Sequence, residues 1–260
     1  MNLIQEYKKQ QKWRNWEKYL EFIPLNKDDS VLDLGCSVGN VSHLLTHKVN
    51  NVVGIDINQV FIDFCVSNKI NNEAFLCSDL LDVDYSTFEK ISGIWGSFSL
   101  SYLSNPKGFL QRLNALMEDG GWIALLDISC FISGNLPKNS KYYDRVSSFE
   151  FESGKSGIYD FDFGSKMQTM LQKVGFEIVY VDNDVYDPEL NFSGVAPDEI
   201  IDAWSARLNR MEKLREKLGT EYSDFSSELL SNLGSESHEK RGSVKLVVAI
   251  KPNKLIQPNT

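Results

Sequence analysis

The stretch that decides the fold covers residues 31–45 and reads VLDLGCSVGNVSHLL. It begins as a short apolar strand, passes through a turn bounded by Gly35 and Gly39, and continues into an amphipathic run that predicts a helix. Glycines let such a turn bend tightly and approach a ligand beside the amino terminus of the following helix. Alone this signal is weak, because many strand–turn–helix units resemble it. The rest of the chain must therefore decide what the turn belongs to.

Strand and helix signals alternate along the chain after this unit. We predict strands near 31–35, 52–56, 74–78, 93–98, 121–128, 176–182 and 243–251, and helices near 39–48, 58–69, 106–118 and 165–174. The strands are rich in Val, Ile, Leu and Phe, as is typical of a parallel sheet that helices cover on both faces. The pattern predicts an α/β fold with a Rossmann-like, doubly wound, mostly parallel sheet of seven strands.

Further segments surround this predicted core. Residues 2–23 have the apolar spacing of one helix, which Pro24 ends, and we expect this helix to lie over the site as a lid. Residues 130–165 show no clear period, whereas 197–217 and about 221–233 have helical patterns. We interpret 1–260 as one domain, composed of a lid helix (1–24), a core (30–129), an inserted substrate cap (130–165 and 183–240) and a last core strand (243–251).

Three aspartates follow the first three strands at a regular interval. Asp33 lies in the first strand, Asp56 ends the second and Asp79 follows the third, and consecutive members are 23 residues apart. One β–α unit fills each interval, so we expect all three carboxylates at the carboxyl edge of the sheet, where doubly wound sheets bind ligands. A carboxylate in the position of Asp56 can accept hydrogen bonds from two ribose hydroxyls.

Taken jointly, these motifs resemble the class I S-adenosylmethionine-dependent methyltransferases. Residues 31–39 are similar to the first motif of that family, with Asp33, Gly35 and Gly39 in place and Ser37 at the usual middle glycine. Residues 94–103, IWGSFSLSYL, are similar to its fourth-strand motif, and 116–122 to the turn into its fifth strand. The resemblance covers roughly residues 30–128.

The resemblance implies a binding site for S-adenosylmethionine, with S-adenosylhomocysteine as product. It implies that Asp56 holds the ribose with Ile57 beside the adenine, and that the Asp79 carboxylate takes the exocyclic amine. The fourth-strand motif then lies beneath the methionine moiety and the methyl group. The cofactor-binding residues implied in the core are Asp33, Gly35, Cys36, Ser37, Gly39, Asp56, Ile57, Asp79, Leu80, Ser97 and Phe98.

In similar enzymes an amino-terminal helix often supplies aromatic and basic groups near the methionine carboxylate. Arg14 is the candidate partner of that carboxylate, with Tyr7 and Trp13 beside it. The alternative is that Trp13 and Trp16 pack in the core while Arg14 faces water, since aromatic stripes on helices are commonly core.

The charge and the cap favour a small-molecule acceptor. The chain has 36 acidic and 27 basic residues, a net charge of −9, which argues against a nucleic-acid partner held by electrostatics. Residues 79–189 hold 17 of the acids and 9 of the bases, so the excess is almost entirely central. The fourth-strand motif also lacks the Asn/Asp-Pro-Pro-aromatic run of relatives that methylate nucleobase or glutamine amines. Methyl transfer to N, O or C of a small molecule is the expected reaction.

Acids and aromatics in the cap suggest how the acceptor is held. Tyr159, Asp160 and Asp184 would suit an amine or another cationic group, although acids in loops are commonly solvated and Asp160 could cap the next helix. Trp204 and Arg207 share a helix face and either pack or touch the acceptor. Substrate-binding candidates are therefore Tyr102, Tyr159, Asp160, Asp184, Trp204 and Arg207.

Two residues are candidates for a catalytic role. Tyr102 follows the fourth strand and is the polar side chain best placed near the methyl group, either to orient the acceptor or simply to pack. His238 precedes the last strand and is the histidine best placed to act as a base. A base is needed only if the acceptor loses a proton during attack; a neutral amine needs none.

The cysteines and the hydropathy of the chain set our expectations about metal sites, disulfides and location. The four cysteines (36, 65, 77 and 130) form no C-x-x-C pair, so we expect neither a metal site nor disulfides. No apolar stretch approaches the ~20 residues of a membrane helix, and the first residues lack a signal peptide, so a cytoplasmic monomer or homodimer is expected. Two alternatives stay open: a non-catalytic domain that binds S-adenosylmethionine, and a nicotinamide-dependent oxidoreductase.

Overall fold

The computed structural model describes residues 3–253. Its centre is a sheet of seven strands: β1 (Ser30–Leu34), β2 (Asn51–Asp56), β3 (Glu73–Cys77), β4 (Gly93–Ser97), β5 (Trp122–Ser129), β6 (Glu177–Val185) and β7 (Ser243–Ile250). The strand order is β3-β2-β1-β4-β5-β7-β6. The pairs among β1 to β5 are parallel, and β7 runs antiparallel between β5 and β6. The predicted seven-stranded, mostly parallel, doubly wound sheet is confirmed.

Ten α-helices surround the sheet within the described residues. They are α1 (Leu3–Gln11), α2 (Trp16–Leu20), α3 (Asn40–Thr46), α4 (Gln59–Asn68), α5 (Pro106–Leu116), α6 (Tyr143–Lys155), α7 (Phe163–Lys173), α8 (Asp198–Arg210), α9 (Glu212–Leu218) and α10 (Tyr222–Leu233). Side-chain caps explain where two core helices begin. The Asn58 amide oxygen accepts from the backbone N–H of Val60, and Asn105 accepts from Gly108 just after Pro106 opens α5.

The sheet separates two hydrophobic cores. One face packs against α5 and α7, through residues such as Leu113 and Met167. The other face packs against α2, α3 and the segments predicted as the cap, so Trp95 of β4 shares a core with Trp204 of α8 and Phe225 of α10. In the part of the chain that the structure describes, no helix is both long and apolar enough to cross a bilayer.

Three predicted elements differ from the structure. The single helix predicted at 2–23 is two helices, α1 and α2, because the Asn15 side chain accepts from Lys18 N and starts a new helix after a break; residue 2 lies outside the described residues. The stretch 197–217 is also divided, into α8 and α9, at Met211, which has non-helical backbone angles. Residues 130–165 contain the 13-residue helix α6, which the sequence pattern did not reveal. Its buried face includes Glu150 and Ser153, so it lacks an apolar period.

Candidate active site

The glycine turn after β1 has a backbone that only small residues tolerate. Gly35 has φ +77° and Gly39 has φ +76°, both in the left-handed region. A Cβ atom on Gly35 would come within 2.4 Å of Ser99 Cβ, and one on Gly39 within 2.9 Å of Cys65 Sγ. Ser37 also has a positive φ, +51°, at the position where the family usually has its middle glycine. The turn therefore brings three left-handed residues against the ends of neighbouring elements.

Asp56 ties this turn to the end of β2. One carboxylate oxygen accepts from Ser37 N at 2.8 Å, and the other accepts from Asn58 N at 2.9 Å. Partial burial raises the pKa of Asp56, while these backbone hydrogen bonds oppose the rise. Each carboxylate oxygen can accept a second hydrogen bond, so Asp56 can still receive donors from a ligand.

The other two aspartates differ from Asp56 in their surroundings. Asp33 is buried below the turn and accepts from Ser42 Oγ at 2.6 Å, and burial raises its pKa to about 7. It therefore braces α3 rather than lining an open surface. Asp79 is half-buried and accepts from Leu81 N at 2.8 Å. Leu80 is nearly buried beside Asp79, at 9% exposure.

The surroundings of the turn fit a nucleoside. Ile57 follows Asp56 and is 69% exposed, so it offers an apolar surface next to a carboxylate. Ser37 Oγ is buried and has no hydrogen-bond partner among residues 3–253. Cys36 is buried behind the turn with its thiol near the Ser37 carbonyl. One tight turn thus adjoins three groups that a ligand could use: the Ser37 hydroxyl, the Asp56 carboxylate and the apolar side chain of Ile57.

The amino-terminal segment reaches across this edge of the sheet. The Tyr7 ring packs on Phe61 of α4 with 4.8 Å between centroids, and Trp13 Nε1 donates to Glu199 of α8 at 3.2 Å. Burial raises the pKa of the Tyr7 phenol, and the charges that also act on it include Arg207, Arg210 and Asp56. Tyr7 therefore lies between the Asp56 region and the basic end of α8.

Arg14 is buried in ion pairs rather than facing water. Its Nε donates to Asp187 Oδ2 at 2.7 Å and its Nη2 to Glu189 Oε2 at 3.0 Å, and its guanidinium lies 5.0 Å from the Phe98 ring centroid. Arg207 Nη2 pairs with the other Glu189 oxygen at 2.5 Å. We call Arg14, Asp187, Glu189 and Arg207 the arginine cluster. The alternative of a solvent-facing Arg14 is wrong, and binding of the methionine carboxylate by Arg14 stays a prediction.

Ser97 ends β4, and Phe98 follows it close to this cluster. Phe98 has φ +53° and its N–H donates to Leu126 O of β5 at 2.9 Å, which holds the strand end in a strained turn. Ser99 Oγ then donates to Leu34 O at 2.7 Å. The fourth-strand motif and the glycine turn are therefore hydrogen-bonded side by side.

Tyr102 is an open side chain in the middle of this edge. It is 63% exposed, and its ring contacts Tyr159 with 4.6 Å between centroids. Desolvation by the neighbouring protein raises the pKa of the Tyr102 phenol to about 12, although Arg207 and Arg210 oppose the rise. At neutral pH the phenol therefore keeps its proton and can donate a hydrogen bond.

Among the described residues, no contact joins His238 to Tyr102. It is 1% exposed, its Nε2 lies 3.1 Å from Asn135 Oδ1, and its ring packs on Phe192. Burial lowers the pKa of His238, so the ring stays neutral near pH 7. These contacts give His238 a packing role and do not support the predicted role as base.

The predicted acids of the cap are both paired with lysine. Asp160 contacts Lys166 Nζ at 2.7 Å through both oxygens and accepts from Asp162 N. Asp184 contacts Lys240 Nζ at 2.7 and 2.8 Å at the far end of β6. Neither carboxylate is a free partner for a cation. Trp204 is fully buried and its Nε1 donates to Glu189 O at 2.8 Å, so it packs rather than lining a pocket.

Sequence reasoning missed Asp127 and the two acids of the arginine cluster. Asp127 lies near the end of β5, is 1% exposed, and accepts from Ile128 N at 2.8 Å. A lone acid near the carboxyl end of an apolar core strand was the available signal, the same one that identified Asp33. Asp187 and Glu189 lie in an acidic segment of the sequence, but nothing local identifies their partner, because Arg14 is more than 170 residues away.

Asp127 predicts a fall in stability as pH rises. Burial raises its pKa to about 8, whereas an unfolded aspartate titrates near 3.9. The native state therefore holds the extra proton between about pH 4 and 8, and stability is lost as pH rises through this range. We expect Asp127→Asn to reduce the downward slope of unfolding free energy against pH by up to about 1.4 kcal/mol per pH unit.

Urea unfolding at pH 5, 6, 7 and 8 measures this slope. Asp28→Asn, which changes an exposed aspartate, is the matched control and should leave the slope as in the wild type. An unchanged slope in Asp127→Asn would contradict a protonated Asp127.

Two cavities open on the surface of the described residues, one near this edge of the sheet and one far from it. A cavity of about 250 Å³ opens between residues 11–17 and α3, with Arg14, Trp16 and Asn40 in its lining. A second, of about 440 Å³, lies at the opposite edge of the sheet beside Ser30 and Asn51. The first adjoins the glycine turn through Asn40, and the second is remote from it.

Comparison with known proteins gives one family and several relatives. A family model described as a methyltransferase domain matches residues 6–181. A malonyl-[acyl-carrier protein] O-methyltransferase of Marinomonas sp. (strain MWYL1) is 22% identical over 230 residues, which are 78% of this chain and 79% of the relative. Shorter matches of 115 to 127 residues, 41 to 47% of this chain, reach ribosomal RNA methyltransferases.

Solved structures share the fold. A candidate methyltransferase from Bacillus halodurans C-125 superposes with a TM-score of 0.62 at 18% identity, covering 92% of this chain and 99% of the other. Mycolic acid cyclopropane synthase, solved with S-adenosylhomocysteine, superposes with a TM-score of 0.60 at 16% identity, covering 91% of this chain and 82% of the other.

Proposed function

Because this chain belongs to the methyltransferase domain family, as a class I S-adenosylmethionine-dependent member, we propose that it methylates a small-molecule acceptor. The observation that carries the proposal is the glycine turn bound to Asp56. There, three left-handed residues, a carboxylate with free lone pairs and an exposed Ile57 lie together.

We expect these residues to divide the cofactor among them as follows. Asp56 would accept the ribose hydroxyls, Ile57 and Leu80 would flank the adenine, and Asp79 would take its amine. The glycine turn, Ser97 and Phe98 would hold the methionine part, with the remaining guanidinium edge of Arg14 near its carboxylate. When bound, S-adenosylmethionine supplies an electrophilic methyl group on a sulfonium. The protein then contributes mainly proximity and alignment.

The cap supports a small acceptor. Residues of α8 and α10 share a hydrophobic core with the sheet, and Tyr159 of the cap contacts the ring of the open Tyr102. The malonyl-[acyl-carrier protein] O-methyltransferase matches over most of both chains, whereas the matches to ribosomal RNA enzymes have about the length of the cofactor core alone. Only the malonyl-[acyl-carrier protein] enzyme, among these relatives, matches well beyond the length of the core. This longer match favours a small acceptor group over an RNA base.

Isothermal titration tests the cofactor assignment. We expect S-adenosylmethionine and S-adenosylhomocysteine to bind and NAD to give no heat. Asp56→Ala removes two ribose acceptors, so affinity for S-adenosylhomocysteine should fall about tenfold to a hundredfold, since hydrogen bonds to a charged group are worth about 1.5–3 kcal/mol.

The matched control is Asp63→Ala, which removes an exposed aspartate of α4 and should leave affinity unchanged. Undiminished affinity in Asp56→Ala would refute the ribose assignment. Binding of NAD in place of the sulfur ligands would favour an oxidoreductase. Binding of S-adenosylmethionine without turnover on any acceptor of a broad panel would favour a non-catalytic domain.

A further inference from the structure

A continuous aromatic wall leads from Tyr102 into the cap. Tyr102 contacts Tyr159, and Tyr159 contacts Phe161, each with 4.6 Å between ring centroids. Phe161 stacks on Phe131 at 6.1 Å. The wall begins at the exposed phenol of Tyr102 and ends at Phe131, on which the guanidinium of Arg207 lies 5.0 Å from the ring centroid.

Arg207 is only partly used by the protein. Its Nη2 pairs with Glu189 at 2.5 Å, and its guanidinium also lies 5.2 Å from the Trp204 ring centroid. Its Nη1 is buried and has no hydrogen-bond partner among residues 3–253. A buried guanidinium nitrogen without an acceptor is costly. The side chain keeps 17% exposure, so the group is not sealed inside the core.

Arg207 is the cation that contacts this wall, and the acids predicted to hold a cationic acceptor are paired elsewhere. Asp160 and Asp184, the acids that suggested a cationic acceptor, are each paired with a lysine. Arg207 acts on the phenols of Tyr7, Tyr102 and Tyr159, and in each case it opposes the rise in pKa that burial causes. The geometric contact of Arg207 with the wall is at Phe131, where the guanidinium lies 5.0 Å from the ring centroid.

We propose that the acceptor carries a negatively charged group, a carboxylate in the simplest case, and that Arg207 binds this group beside the aromatic wall. The inference rests on the proposed methyltransferase function and specifies the acceptor of that same site. Because Nη2 is paired with Glu189, Nη1 can donate to one carboxylate oxygen, and the positive guanidinium favours an anion. Tyr102, which keeps its proton, adds a second donor.

A carboxylate also suits the chemistry of this edge. Its oxygen attacks the methyl carbon, a C–O bond forms, the sulfonium C–S bond breaks, and the electron pair stays on sulfur. No proton is transferred, so no base is required. The titratable groups around Tyr102 include Tyr7, Tyr159 and Asp127, and burial raises the pKa of each, so all three hold their protons at pH 7.

Three probes of one shape test the charge preference. Phenylacetate, phenylacetamide and 2-phenylethylammonium are titrated into protein saturated with S-adenosylhomocysteine, and binding is measured by ligand-observed NMR. We expect phenylacetate to bind at least tenfold more tightly than the amide and the ammonium. Equal or tighter binding of either of these two, or no detectable binding of phenylacetate, would overturn the proposal.

Arg207→Lys assigns the preference to this side chain. Lysine can keep the ion pair with Glu189 but lacks the second guanidinium nitrogen. We expect phenylacetate affinity to fall about tenfold while affinity for S-adenosylhomocysteine is unchanged. Arg145→Lys, at an ion pair with Glu221 away from the wall, is the matched control.

Wild-type phenylacetate affinity in Arg207→Lys would overturn the role of Arg207. Failure of S-adenosylhomocysteine to bind the wild type would instead refute the proposed function, and it is seen before any probe is added.

Discussion

Gly35→Ala is expected to reduce affinity for S-adenosylhomocysteine at least a hundredfold. The added Cβ would lie 2.4 Å from Ser99 Cβ, far inside van der Waals contact, and it would sit on a backbone with φ +77°. Relief requires the glycine turn and the end of β4 to separate. These are the two segments that are proposed to hold the methionine part, so the loss of affinity should exceed the strain of the backbone alone, about 1–2 kcal/mol. Isothermal titration with S-adenosylhomocysteine measures the loss.

Two variants separate the close contact from the backbone strain. Gly194→Ala also places alanine at a positive φ, +85°, but its Cβ would meet nothing within 4 Å, so it should lower stability slightly and leave affinity intact. The double variant Gly35→Ala/Ser99→Gly removes the contacting Cβ and should recover part of the lost affinity. Near-wild-type affinity in Gly35→Ala alone would show that the turn does not contact the cofactor.

The core could be predicted because its signals are local. Each β–α unit repeats a strand, a turn and a helix within about 23 residues, as the spacing of Asp33, Asp56 and Asp79 shows. The glycine turn is equally local, since its left-handed angles are properties of consecutive residues. The family resemblance drawn from these segments is confirmed by the family match over residues 6–181.

The cap could not be predicted to the same depth because its structure depends on distant pairs. Helix α6 buries Glu150, which accepts from the N–H groups of Ile132 and Ser133, so its inward face is polar and has no apolar period. Asp184 is neutralised by Lys240, which lies 56 residues away in the sequence. An acid in a loop looks the same in sequence whether it is paired or free.

Arg14 illustrates both sides of this limit. Its place in the lid was inferred from the resemblance, and the structure brings it to Phe98 at the end of β4. Its partners Asp187 and Glu189 lie in the segment after β6, and no spacing rule links them to the amino terminus. The position of a charged residue could thus be anticipated, whereas the identity of its counter-ion required the fold.

Glu189→Ala is expected to cause the largest loss of stability, about 3–5 kcal/mol of unfolding free energy. Glu189 is fully buried between Arg14 at 3.0 Å and Arg207 at 2.5 Å. Without it, Arg207 keeps no anionic partner among the described residues and Arg14 keeps only Asp187. An uncompensated guanidinium in the interior is far more costly than the loss of an exposed ion pair. Urea unfolding followed by circular dichroism measures the difference.

Glu152→Ala is the matched control, because it removes a glutamate that contacts Lys217 at 2.7 Å on the surface, and its cost should stay below about 1 kcal/mol. The double variant Glu189→Gln/Arg207→Met removes the stranded charge together with its partner. It should recover much of the stability, since glutamine keeps an acceptor for Arg14 and methionine removes the charge that Glu189→Ala leaves unpaired on Arg207. If Glu189→Ala cost no more than Glu152→Ala, the arginine cluster would have to be open to water, and the lid would then depend on Trp13, Tyr7 and their apolar contacts instead.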